Sequence, residues 1–226
     1  MSKVISIPTS GFVTWDADVL KVIDSPEFQR LRFIKQLGAV HWVFPSACHT
    51  RFEHSLGVAA LAERMAASLQ CDVGTIKLAA LCHDLGHGPL SHAYDIFLNE
   101  AGHDFGSHEQ RSTWILRRIV KRYHVPIDKQ RVDDACELIF PERHHLPKFW
   151  YQIIGSKDGL DADKLDYIVR DAHHLGIASG VDAARILQYI CVYDDELCFH
   201  EKLVHDINRV FTARHELHLQ VYQHPT

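Results

Sequence analysis

The densest chemistry in this 226-residue chain lies in ten consecutive residues, His83-Asp84-Leu85-Gly86-His87-Gly88-Pro89-Leu90-Ser91-His92. They place three imidazoles and a carboxylate at the glycine-rich end of one predicted helix. His83 and His87, four apart, are expected on a single helix face, with Asp84 turned by about 100° at the same height. Two further candidates flank the run. His54 lies 29 residues before His83, room for a helix, a turn and an antiparallel return that sets two helices side by side. Asp163, within Gly159-Leu160-Asp161-Ala162-Asp163-Lys164-Leu165-Asp166-Tyr167, follows Asp84 by 79 residues. Two neutral imidazoles with two carboxylates offer nitrogen and oxygen ligation without thiolate, which suits Fe, Mn, Zn, Co or Ni and disfavours Cu(I). An ion with open positions activates water and polarises a phosphoryl oxygen. Taken singly, each residue reads as a satisfied core histidine or a helix-face carboxylate, so the weight rests on their order and flanks.

The elements that must hold these residues are mostly helices. Ser25-Pro26-Glu27 reads as N-cap, N1 proline and acidic first turn of a helix running toward Leu37 and Gly38, with a β-prone run from Val40 to Phe44 after it. The alanine-rich segment 51–70 predicts a helix, and Asp72 caps a second one that passes His83 and stops at Gly86. Further helices are expected at 91–101, at 107–123 behind a Ser107-x-x-Gln110 capping box, and at about 128–140, 147–155, 160–175, 182–191 and 203–223. One hairpin, 190–200 with its turn at Asp194-Asp195, is the single β element foreseen, which makes the fold class mainly α: a helical bundle with a small β-hairpin. The proline-bounded segment 141–147, including His144 and His145, reads as a solvated loop.

Histidine is abundant, at eighteen residues, while 24 Lys and Arg against 29 Asp and Glu give a net charge of −5. That balance argues against a nucleic-acid binder working through an overall positive field, so a polyanionic ligand needs a local basic pocket. The six cysteines form no C-x-x-C pair and read as reduced, mostly buried thiols. No membrane span and no signal peptide are recognised, so a soluble intracellular protein is expected.

The order H…HD…D across three helices, with Leu-Gly-His-Gly-Pro-Leu-Ser-His after the HD pair, Arg-Phe-Glu-His before it and Asp-x-Asp-Lys beyond, resembles the HD-domain metal-dependent phosphohydrolase superfamily. Residues 28–38, 51–58, 170–177 and 222–224 narrow the resemblance to the family of SAM-and-HD-domain deoxynucleoside triphosphate triphosphohydrolases. The match runs from about residue 3 onward as one HD domain over 1–226, without the family's SAM domain or C-terminal lobe.

The resemblance implies His54, His83, Asp84 and Asp163 as ligands of a divalent transition metal (Fe, Mn or Zn), with Mg²⁺ arriving on the nucleotide and Asp84 able to bridge to it. It implies attack by metal-activated hydroxide on the α-phosphorus of a dNTP, releasing deoxynucleoside and intact triphosphate. His92 is then the general acid for the departing 5′ oxygen. His87 and His108 stand nearby, and Glu109 orients or polarises the histidines. Arg51, Lys164, Tyr167 and Arg214 become phosphate contacts, with His218 sharing the Arg214–Tyr222 face. Gln36 and Asp171 match positions that hydrogen-bond the sugar 3′-hydroxyl, Leu37 and Tyr222 the pair that crowds the 2′ position, and Gln223 a contact near the base. Lys3, Val4, Asp24, Gln29 and Arg32 match a regulatory site for a GTP or dGTP effector, and Arg185 and Lys202 match a second one more loosely. A homo-oligomer is expected, a dimer before a weakly regulated tetramer. Two other readings stand beside this one. The same metal site serves a 5′-nucleotidase, pyrophosphohydrolase or cyclic-nucleotide phosphodiesterase, or the chain is a non-catalytic core that binds nucleotide or single-stranded nucleic acid.

Overall fold

The computed structural model describes residues 2–157 and 159–224. Two strands, β1 (Lys3–Ile7) and β2 (Gly11–Trp15), pair antiparallel before the first helices, α1 (Ala17–Ile23) and α2 (Pro26–Gln29). The bundle follows: α3 (Arg51–Ser68), α4 (Val73–Cys82), α5 (His92–Glu100), α6 (His108–Arg122), α7 (Lys129–Ile139), α8 (Lys148–Ile154) and α9 (Ala162–Leu175). The short α10 (Ala183–Leu187), the hairpin β3 (Ile190–Tyr193) with β4 (Glu196–Phe199), and α11 (Val204–Leu217) complete it, α11 running into a π-helical turn at His218–Tyr222.

α3 and α4 are the centre. In α4 every residue from Thr75 to Cys82 is buried, and α3 buries all but a few of its residues, because alanines at 59, 60, 62 and 66 let neighbouring helices approach closely. The turn between them is closed by Asp72, whose carboxylate accepts the Thr75 amide at 3.1 Å and the Thr75 hydroxyl at 2.8 Å. α9 lies along α3 and α7 along α4. α6 opens on the expected capping box, with Ser107 and Gln110 each accepting the other's backbone N–H. α9 opens on Asp161, which accepts the Lys164 amide at 2.7 Å, and ends on Gly176 at φ +68°.

Several expectations are corrected. The helix begun at Pro26 stays helical only to Phe33, its last turn a 3-10 segment, because Ile34 is drawn into extended backbone: its carbonyl accepts the Arg51 amide at 2.9 Å and Lys35 bridges Thr50. Val40 to Phe44 has no strand to pair with and coils into a 3-10 turn, Val40–Trp42. The segment foreseen as helix 182–191 shortens to α10, since Ile190 starts β3. The β1–β2 hairpin, unforeseen, buries Ile7, Val13 and Trp15 against the bundle. Lys77 spans it and α3, with its ammonium 4.7 Å above the Trp15 ring and 2.8 Å from Glu63. Of the cysteines only Cys82 and Cys136 are buried; Cys48 and Cys191 are exposed. Among the described residues no helix is long and apolar enough to cross a membrane.

The most consequential correction concerns α4, which ends at Cys82 rather than passing His83 to Gly86. A Cβ on Gly86 would lie 2.0 Å from the His108 carbonyl oxygen, so backbone packs on backbone at the start of α6 and no side chain fits at this position. His83 is therefore the helix cap, and the Leu85 and His87 amides turn back on Cys82 and Asp84 at 3.2 Å each. The single helix face expected for His83 and His87 does not exist.

The loop 141–147 is organised from below by buried Glu137, whose carboxylate accepts the amides of His144 (2.7 Å), Arg143 (2.9 Å) and Glu142 (3.3 Å) and the Tyr151 hydroxyl (3.2 Å). Burial alone would raise its pKa, but these donors hold it below the ordinary carboxylate value. A depressed carboxyl pKa contributes stability above the unfolded value, about 4.3, and that stability is lost as pH falls through the folded value. Glu137→Gln is expected to cost about 1–3 kcal/mol at neutral pH. The gap from wild type should narrow as pH falls below the ordinary carboxylate range, read from urea unfolding at both pH values.

Candidate metal centre and cavity

Several helices and one turn converge on a cavity of about 360 Å³. α3 contributes Arg51 and His54, the turn after α4 contributes His83, Asp84 and His87, α5 and α6 contribute His92, His108 and Glu109, and α9 contributes Asp163 and Tyr167. The apolar part of the lining was not foreseen: Leu138 and Ile139 end α7, Pro141 follows it, and Tyr151, Ile154 and Gly155 come from α8 and its end. Only their place in the fold reveals them, since in the sequence they read as ordinary helix and loop residues.

At the inner end His54, His83 and Asp84 offer ligand atoms within 4.8 Å of one another. His54 Nε2 stands 3.0 Å from Asp163 Oδ1 and 3.7 Å from Asp84 Oδ2. His83 Nε2 stands 3.4 Å from Asp84 Oδ1 and 3.8 Å from Asp163 Oδ1. The far nitrogen of each ring is already committed. His54 Nδ1 donates to Asp166 Oδ2 at 2.8 Å, and His83 Nδ1 donates to the Ala80 carbonyl at 2.7 Å. His83 Nε2 is consequently a lone pair, buried without a hydrogen-bond partner, facing two carboxylates. A cation between them is what such a donor set fits, and an outer carboxylate or carbonyl behind each imidazole is the usual support of a metal-ligating histidine.

The electrostatics agree with that fit. Burial alone would lower the His54 pKa, but hydrogen bonds to Asp163 and Asp166 override it and raise it to about 10. The box thus favours positive charge strongly enough to hold a proton on a fully buried imidazole. Burial would raise the Asp84 carboxyl, yet Arg51, His83 and His87 hold it well below the usual range. Arg51 pairs directly with Asp84 and gives its Nε–H to Ser91 at 2.9 Å.

The outer end is a second histidine group. His87, His92, His108 and Asp95 also bring ligand atoms within 4.8 Å. His87 and His108 stack at 4.0 Å between ring centroids. His87 Nε2 lies 3.1 Å from Asp84 Oδ1, so Asp84 faces both groups. Burial lowers His87 to about 4, and desolvation with Arg51 and His108 lowers His92, leaving both neutral near pH 7. Glu109 is 3.2 Å from His108 Nε2. Asp95, absent from the sequence expectation, holds the other His108 nitrogen at 3.2 Å and pairs with Arg111.

The remaining expected residues fall into three placements. Gln36 lines the cavity, and its Oε1 is buried without a partner. Tyr167 lines it too, with its hydroxyl taking the Arg214 Nε–H at 2.9 Å, which puts Arg214 behind Tyr167 rather than on the wall. Lys164 turns away to the Ser156 carbonyl and to Asp161, 2.6 Å from its Oδ2. Asp171 is 1% exposed and does not line the cavity, its oxygens taken by His49 Nε2 at 2.7 Å and the Tyr222 hydroxyl at 2.6 Å. Leu37 packs on the core, and His218 meets the Tyr222 ring edge-on at 4.9 Å, one residue from Gln223. Away from the cavity, Lys3 and Asp24 lie 3.6 Å apart near Val4, and Arg32 donates to Gln29 at 2.8 Å. Arg185 and Lys202 converge on the Tyr189 ring.

Residues 51–176 match the family model of the HD domain. The chain belongs to the HD-domain family. Over 98% of its length it is 36% identical to deoxynucleoside triphosphate triphosphohydrolase SAMHD1 of Bos taurus, covering 44% of that protein, and 36% identical to the Homo sapiens protein of the same name, covering 42%. Over its whole length it is 33% identical to the HD domain-containing protein L394 of Acanthamoeba polyphaga mimivirus, covering 55% of it. The chain spans about half the length of the curated relatives it matches. The HD-family match encloses all four residues of the inner group, His54, His83, Asp84 and Asp163. Replacing His83 or Asp84 by Ala is expected to lower bound divalent metal from about one ion per chain toward none, measured by elemental analysis after dialysis, without loss of helical circular dichroism.

Proposed function

We propose that this HD-family protein is a metal-dependent phosphohydrolase that converts a deoxynucleoside triphosphate to deoxynucleoside and inorganic triphosphate. The observation that carries the reading is the cavity itself. A cation-seeking box of His54, His83, Asp84 and Asp163 adjoins a second histidine group, and apolar residues line the same cavity. The similarity to proteins named as deoxynucleoside triphosphate triphosphohydrolases supports the choice of substrate.

A divalent ion held by the four box residues supplies positive charge and Lewis acidity at a phosphoryl oxygen. Fe, Mn or Zn suits the ligand set, and Mg²⁺ accompanies the triphosphate. The chain does the rest. Arg51, whose charge is set at the box by Asp84 and Ser91, meets the phosphates with His87 and His108. His92, exposed at the cavity mouth, gives a proton to the 5′ oxygen as its bond to the α-phosphorus breaks and a water oxygen takes its place. The phosphate charge offsets the lowering that desolvation and Arg51 impose on this imidazole. Glu109 and Asp95 hold His108 from its two nitrogens. Gln36, with its unpartnered buried oxygen, takes the 3′-hydroxyl. Tyr167, backed by Arg214, adds a phosphate contact, while Leu37 and Tyr222, the latter anchored by Asp171, crowd the 2′ position. Lys164 reaches substrate only by leaving Ser156 and Asp161, and His218 and Gln223, which do not line the cavity, contribute beside Tyr222.

Incubation of metal-loaded protein with dGTP is expected to yield deoxyguanosine and tripolyphosphate, resolved by ion-pair chromatography; monophosphate or orthophosphate as first product would overturn the assignment. His92→Ala is expected to lower kcat about 10²- to 10⁴-fold with metal content unchanged. Leu37→Ala should narrow the preference for dGTP over GTP by about tenfold or more.

The residues Lys3, Val4, Asp24, Gln29 and Arg32 form, on this reading, a surface site for a GTP or dGTP effector that governs assembly to a homodimer. A rise in sedimentation mass on adding GTP is the expected outcome. A monomer indifferent to GTP would remove this regulatory part and leave the catalytic reading intact.

A further inference from the structure

Behind the metal box lies a buried chain of hydrogen bonds that ends on the N-terminal hairpin. Asp166 Oδ2 accepts from His54 Nδ1 at 2.8 Å and from Arg170 Nε at 2.8 Å, while its Oδ1 accepts from Arg170 Nη2 at 2.8 Å. Arg170 Nη2 donates also to the Thr9 hydroxyl at 2.7 Å, in the turn between β1 and β2. Arg170 and Asp166 are 0% and 1% exposed. Gly57, one helical turn beyond His54 on α3, is what lets this pair sit against the helix. A Cβ there would lie 2.0 Å from Asp166 Oδ1 and 2.1 Å from Arg170 Nη2.

We propose that Asp166, Arg170 and Thr9 are positioning residues for His54, tying the metal-facing nitrogen of that ligand to the seating of the β1–β2 hairpin. The reason is geometric. A carboxylate clamped by a two-pronged guanidinium has one orientation, so the oxygen offered to His54 Nδ1 is fixed. That bond keeps a proton on Nδ1 and sets Nε2 toward Asp163 and Asp84, where a bound cation would replace the proton that Nε2 shares with Asp163. Thr9 occupies the outer proton of the same guanidinium nitrogen, so a hairpin displaced from the bundle frees Arg170 to tilt. Neither Thr9 nor Arg170 touches the cavity. A buried ion pair within α9 that merely packed against α3 would affect stability and leave ligand affinity alone.

This inference rests on the metal reading of the box, and the test separates the two. Mn²⁺ affinity of the full chain is measured by competition with a chromophoric chelator, alongside thermal melting of the metal-free protein. Asp166→Asn is expected to weaken Mn²⁺ binding about ten- to a hundredfold in protein that remains folded. Thr9→Val should weaken it by a smaller factor, and Thr9→Ser, which keeps the hydroxyl, should restore it. Folded Asp166→Asn with wild-type affinity would overturn the proposal. Should that variant fail to fold because Arg170 is left unpaired, Thr9→Val decides: affinity equal to wild type overturns it, weakened binding rescued by Thr9→Ser upholds it. Wild-type protein that takes up no divalent ion would instead remove the metal reading itself.

Discussion

A helix of buried residues cannot end inside a protein unless its last carbonyls find donors, and the way α4 meets that requirement decides the geometry of the whole site. The His83 carbonyl accepts from the Ser112 hydroxyl at 2.6 Å, and the Gly86 carbonyl accepts from Arg111 Nε at 3.0 Å. The Leu85 and His87 carbonyls both accept from the Arg30 guanidinium, at 2.8 Å for His87. The Gly86 amide in turn donates to Ser112 at 2.8 Å. Side chains from the 3-10 segment after α2 and from α6 thus replace helical hydrogen bonds that the turn gives up. The turn is rigid for that reason, and its rigidity aims Asp84 inward between His54 and His87 while His83 caps the helix.

Charge is distributed along the cavity in a way that the chain's net charge of −5 conceals. Asp84, Asp163 and Asp166 crowd the inner end, where burial would protonate them were it not for Arg51, Arg170 and the histidines. Asp161, itself buried and two residues from the half-buried Asp163, shows the opposite balance: burial and its carboxylate neighbour lift it to about 6 despite Lys164. Arg51 lies further out with His87, His92 and His108. An anionic ligand is therefore repelled by the bare carboxylate box and drawn to its rim. Binding at both ends needs a cation between box and phosphate, which couples metal and substrate without any moving part.

Much of this was legible in the sequence where local forces govern. The caps at Ser25, Asp72 and Ser107 lie where their side chains imply, since capping acts within three residues. The long apolar helices follow their periodicity. The inner-group residues were legible by order, although the helix-face geometry expected for His83 and His87 was wrong. What failed depended on distant partners. Ile34 is extended because of Arg51, Val40 to Phe44 coils into a 3-10 turn, and the turn after α4 packs its Gly86 backbone directly on α6. The alternation in Lys3–Ile7 and Gly11–Trp15 was the available signal for the missed hairpin. For Asp166 and Arg170 the only trace was their spacing of four on α9, which is shared by many surface ion pairs and carries no mark of burial.

The apolar wall supplies the step that residue types alone do not. Leu138, Ile139 and Ile154 would be unremarkable core residues were the loop after α7 free to lie elsewhere, but Glu137 gathers three successive amides of that loop and the Tyr151 hydroxyl into one carboxylate. Pro141 and Tyr151 are thereby held opposite the histidines. A cavity with ionic chemistry on one side and fixed apolar surface on the other accepts a ligand that is itself divided, charged at one end and flat or apolar at the other. Free phosphate or triphosphate uses only half of it.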